Sequence, residues 1–146
     1  MIKSIVFCLL LLSLSVYSIP LTEIDKGNLQ TRHVREQVLY EMYLETDQGL
    51  ASVFGYCFDY FLGETLYFAT TIKGAVSGKR GGYGIAAFGI GNVFRLSSSS
   101  YLDCRLVTGS GGGGGLAAGG GFLVEGHLDY IYQISKRFNT QIGVGY

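Results

Sequence analysis

A two-residue alternation of apolar and polar side chains runs almost unbroken from Val38 to Tyr146, and it constrains this chain more than any single motif. Period two belongs to a strand, whose successive side chains point to opposite faces. In Phe122 to Ile134, one face carries Phe122, Val124, Gly126, Leu128, Tyr130, Tyr132 and Ile134, opposite Leu123, Glu125, His127, Asp129, Ile131 and Gln133. Leu102, Cys104, Leu106 and Thr108 likewise oppose Asp103 and Arg105. Phe138, Thr140, Ile142, Val144 and Tyr146 oppose Asn139, Gln141, Gly143 and Gly145. Phe54, Tyr56, Phe58, Tyr60 and Leu62 oppose Cys57 and Asp59. Repeated segments of about ten residues, with aromatics on the apolar face and turns between them, are the pattern of transmembrane strands.

The pattern predicts seven strands: Val38 to Thr46, Leu50 to Leu62, Leu66 to Val76, Tyr83 to Leu96, Tyr101 to Thr108, Phe122 to Ile134 and Phe138 to Tyr146. All the connections suit antiparallel hairpins except the glycine-rich Gly109 to Gly121. The expected fold is therefore all-β: an antiparallel up-and-down meander closing into a small, roughly eight-stranded transmembrane barrel. Glycine, at 23 of 146 residues, fits that reading. It weakens an ordinary soluble sheet, but a narrow barrel has crowded inward positions and bends sharply.

The N-terminus reads as an export signal. Lys3 provides a positive start, Ile5 to Leu14 is apolar, and Val16 and Ser18 occupy the −3 and −1 positions of a cleavage site. An apolar core of about ten residues is too short to span a bilayer as a helix. Cys8 has no small-residue lipobox before it, so lipidation is not expected. The expected organisation is a signal peptide over 1–18, a polar lead-in over 19–36 and the barrel over 37–146. Net charge of +0 implies no strong attraction to nucleic acid.

Loop parity adds a constraint. The longer connections, Ser77 to Gly82 and Gly109 to Gly121, alternate with short ones, which places Tyr146 at the long-loop end. A terminal aromatic preceded by alternating apolar residues resembles instead the C-terminal signal of barrels inserted into outer membranes. Parity is given the greater weight and predicts that at least one C-terminal strand is missing. The competing reading is a complete barrel with one strand uncounted.

The Gly81-Gly82-Tyr83-Gly84 strand start, the glycine runs Gly111 to Gly115 and Gly119 to Gly121, and the closing Gly143-Val144-Gly145-Tyr146 carry a resemblance. Through them Lys73 to Leu96, Arg105 to Gly121 and Leu128 to Tyr146 resemble small outer-membrane β-barrel proteins of Gram-negative bacteria. The resemblance implies a fold, an outer-membrane location, and lipid and the insertion machinery as partners. It implies no particular activity.

Parity points Glu125, His127 and Asp129 inward, together with Asp59, Lys73, Asp103 and Arg105. Alternate residues lie about 6.5 Å apart, so such groups can pair across strands. A packed polar interior accounts for them, because lipid excludes charge from the outer face. Outer-membrane lipid A deacylases set a His and a Ser two apart; here His127 is followed by Leu128 and Asp129. No catalytic, cofactor-binding or metal-ligating residues are expected. Gly109 to Gly121 lacks the Lys and the following helix of a phosphate loop, so no nucleotide is expected. Cys57 points inward and Cys104 outward on non-adjacent strands, so free thiols are expected rather than a disulfide. His33, between Arg32 and Arg35, reads as solvated.

The leading functional expectation is a structural or surface-interaction barrel of the outer membrane, not an enzyme. The alternatives are a narrow pore or lipid-handling barrel using the inward charges, and a soluble exported lipocalin-like binder. The absence of Trp and the aromatic outer face weigh against the last.

Overall fold

The computed structural model describes residues 7–18, 34–45, 49–77, 82–113, 121–135 and 138–146. Among these, all regular structure is β-strand: β1 (Phe7–Ser18), β2 (Val34–Glu45), β3 (Gly49–Phe61), β4 (Leu66–Ser77), β5 (Gly84–Arg95), β6 (Ser100–Gly112), β7 (Phe122–Gln133) and β8 (Asn139–Gly145). From β2 to β8 each strand pairs antiparallel with the next, giving one curled up-and-down sheet. β1 pairs antiparallel with both β2 and β8, so the strand order closes into a ring.

Tight connections gather at one end of the sheet. Leu62 N donates to Leu66 O at 2.9 Å, Leu96 N to Ser100 O at 2.9 Å, and Ile134 N to Phe138 O at 3.0 Å. The longer connections, β4 to β5 and β6 to β7, lie at the opposite end, where β8 also finishes. This is the arrangement that loop parity predicts.

The alternation sorts side chains as expected. Cys57, Asp59, Ala69, Val107 and Ile131 are buried inside the curl, whereas Phe54, Ile72, Ile90, Phe122 and Val144 project outward. The inner face of β5 is unusually small, with Ala87, Gly89 and Gly91 in succession. At Gly91 a Cβ would stand 2.6 Å from Cε1 of the Tyr67 ring, which lies over the glycine. At Gly89 it would stand 2.6 Å from Val107 Cα, because the curl brings the neighbouring backbone into the space a side chain would need. Gly89→Val is therefore expected to destabilise the sheet by about 3 kcal/mol, as inserted volume does in a packed core. Gly63→Ala, whose added methyl meets nothing within 4 Å, is the neutral control. Urea-unfolding midpoints in detergent compare the two.

Two expectations need correction. β2 begins at Val34 rather than Val38, so Val34, Arg35 and Glu36 belong to the sheet and not to a lead-in ending at Glu36. The lead-in residues that reach the sheet alternate as strand residues with those that follow: Arg35 and Gln37 are buried while Tyr40 is exposed. β6 runs on to Gly112, so the first glycines of the expected loop are strand residues. Gly109 has no room for a Cβ against Ala87, which explains why the run there is glycine. In the uncleaved chain much of the apolar segment expected as an export signal lies in β1, which leaves the expectation of cleavage as it stands.

Candidate functional site

The interior collects the charged residues into two clusters that cross the curl. In the first, Arg35 on β2 places Nε 2.8 Å from Asp59 Oδ2 on β3, and its Nη2 binds Asp103 on β6. The arginine reaches these partners past two rings, with its guanidinium carbon 4.8 Å from the Tyr67 centroid and 5.7 Å from that of Phe61. Tyr67 Oη donates to the other oxygen of Asp103, and Gln37 Nε2 donates to Asp59 at 3.0 Å. Arg105 Nη1 donates to Cys57 Sγ at 3.1 Å, and its Nη2 lies 3.7 Å from Asp129.

The second cluster centres on Lys73. Its ammonium donates to Glu41 at 2.8 Å, to Glu125 at 2.6 Å and to the Tyr43 hydroxyl at 3.0 Å. Tyr43 in turn donates to Glu41 at 2.6 Å, and His127 Nε2 lies 3.3 Å from Glu125. β2 and β6, joined through Arg35, stand four places apart in the strand order, so the first cluster ties opposite walls. Arg35, Asp59, Asp103, Glu41, Lys73 and Glu125 each have at least one fixed partner in place of water, the condition under which buried charge is tolerated.

Asp59, Lys73, Asp103, Arg105, Glu125, His127 and Asp129 all face inward, as parity predicts. The structure joins Asp59 with Asp103 through Arg35, and Lys73 with Glu125 and His127. Asp129 has only its distant contact with Arg105, and neither of its carboxylate oxygens accepts a hydrogen bond. Sequence reasoning missed Arg35, the hub of the first cluster, and Glu41 and Tyr43 in the second. The alternation Val34, Glu36, Val38 against Arg35, Gln37, Leu39 carries the missing signal. Charged residues on both parities, Arg35 inward and Glu36 outward, obscure it.

Cys57 and Cys104 are both unbridged, Cys57 buried and Cys104 partly exposed. In folded protein carrying Cys8→Ser, N-ethylmaleimide is expected to modify Cys104 alone, with Cys57 reacting only after denaturation. Intact mass before and after denaturation checks this. His33 and most of the glycine-rich connection, residues 114–120, lie outside the described residues. Among those described, no three His, Cys, Asp or Glu side chains converge as metal ligands would. Chemically, the clusters join donors and acceptors of different strands across the lumen, with the oxygens of Asp129 and one oxygen each of Gln37 and Glu41 left without a hydrogen bond. No protein-family model, curated protein or solved structure matches this chain.

Proposed function

We propose that this chain is an outer-membrane β-barrel with a structural or surface-interaction role, exported by cleavage after Ser18 and placed in the bilayer by the insertion machinery of that membrane. The observation that carries the reading is its inverted burial. Charged residues such as Arg35, Asp59 and Lys73 are buried, while Phe122 is 73 %, Ile72 71 % and Ile90 56 % exposed. A sheet surrounded by water would leave large apolar patches wet, whereas lipid accepts them and excludes charge. Exposed Tyr60, Tyr130 and Tyr132 lie near the short-turn end, as residues of an interfacial aromatic girdle do.

The side-chain network across the interior favours a closed lumen over an open pore. About eight strands leave room for side chains and little else. In planar bilayers the protein is expected to give no stepwise conductance.

The deciding experiment is fractionation of membranes, followed by electrophoresis of unboiled and boiled samples. The protein is expected in the sarkosyl-insoluble fraction. A mobility that shifts on heating is expected of the chain that keeps β1, or of a processed chain whose β2 and β8 edges are met by another strand, and not of the processed chain alone. Recovery as a soluble protein without detergent would overturn the membrane reading.

A further inference from the structure

The residues that define the expected cleavage site are strand residues in the uncleaved chain. Val16 and Ser18 occupy its −3 and −1 positions, and β1 runs through both to end at Ser18. Tyr17 stands opposite Glu36 and Ser18 opposite Arg35, so the last residues before the Ser18–Ile19 bond are held in the β2 ladder. β8 gives no hold there, because its pairing with β1 ends at Ser15 opposite Asn139. The register also slips between Leu14 and Tyr17, which sets these two terminal pairs apart from the regular run of Leu11 to Leu14. The strand they pair with is itself well fixed. β2 pairs without interruption with β3, and its Arg35 is bound to Asp59 and Asp103.

A peptidase that takes its substrate as an extended segment bonds to the same backbone N–H and C=O groups that a sheet ladder uses. A segment held in a ladder must therefore open before it is cut, and its cleavage follows the fraction of molecules that are open. We propose that folding shields the Ser18–Ile19 bond from signal peptidase through the pairing of Tyr17 and Ser18 with β2. In the unfolded precursor the peptidase adds water across that bond, leaving a carboxylate on Ser18 and an amine on Ile19. A precursor that folds first keeps β1 and stays uncut. The inference rests on the export reading above and deepens it, because it sets the order of events: processing precedes folding, and a chain that misses processing closes on its own β1.

The test uses the full-length chain in detergent with purified signal peptidase, and reads the 19–146 product by intact mass. One sample is refolded to its heat-shifted form; the other is added directly from urea, before that form develops. The sample from urea is expected to be cut after Ser18, and the refolded one about tenfold more slowly or less, as a local opening cost requires. Tyr17→Pro offers the ladder no N–H at that position and leaves the Leu11 to Leu14 pairs in place. Refolded Tyr17→Pro is expected to keep its heat shift and to be cut as fast as the sample from urea. If the proline variant loses its heat shift, Tyr17→Gly, which weakens the strand through backbone freedom alone, takes its place. Equal cutting of refolded and unfolded wild type would overturn the shielding alone, as would a refolded Tyr17 variant that stays as resistant as wild type. An unfolded precursor that the peptidase leaves whole overturns the export reading and the proposal with it.

Discussion

Arg35→Met is expected to remove about 3–5 kcal/mol of stability, the cost of leaving buried carboxylates without their cation. Arg35 is 2 % exposed and its partners Asp59 and Asp103 are 0 % and 1 % exposed, so water cannot replace the lost guanidinium. Domains of this size hold about 5–15 kcal/mol in all, so the loss is a large fraction of the total and should lower the urea midpoint in detergent. The triple variant Arg35→Met, Asp59→Asn and Asp103→Asn is expected to recover much of the loss. A neutral set of similar volume avoids the desolvation of three ions. A urea midpoint in detergent unchanged by Arg35→Met would show that the cluster does not hold the walls together.

The second large effect concerns the seam. A chain beginning at Val34 keeps β2 to β8 but loses β1, which supplies partners to β2 along one edge and to β8 along the other. Its two edges then expose unpaired N–H and C=O groups, which lipid and detergent cannot satisfy. Refolded residues 34–146 are expected to show no heat-shifted monomer and to elute as an associated species, while the full chain shifts. A compact, heat-modifiable monomer from 34–146 would overturn this.

The same seam bears on export. On the proposed cleavage after Ser18, closure by β1 is lost, and the edges of β2 and β8 stay open unless another strand pairs with them. Two observations favour that outcome. The β1–β2 ladder is interrupted between Cys8 and Leu11 and again between Leu14 and Tyr17, whereas β2–β3 pairs continuously from Val34 to Glu45. Gln37 and Glu41 on β2, and Gln141 on β8, each leave a buried Oε1 without a partner. These flanking strands present polar groups, while Phe7 to Leu14 is apolar at both parities except at Ser13.

Much of this architecture was legible from local pattern. The alternation of Phe122 to Gln133 placed His127 and Asp129 inside because a strand fixes side-chain direction without reference to its neighbours. Tight turns after Phe61, Arg95 and Gln133 set the order of pairing in the same way. Arg35 was not legible, because a positive residue beside Glu36 looks solvated until its partners are known. Those partners, Asp59 and Asp103, lie 24 and 68 residues away.

By itself, then, the sequence determined seven of the eight strands, their inner and outer faces and their up-and-down order, since each follows from a period of two and from turns a few residues long. Only the tertiary structure decided which inward charges meet, which glycines admit a neighbouring backbone, and which strand stands between β2 and β8. Those depend on curvature and register across the whole sheet, through which Arg35 on β2 reaches Asp103 on β6.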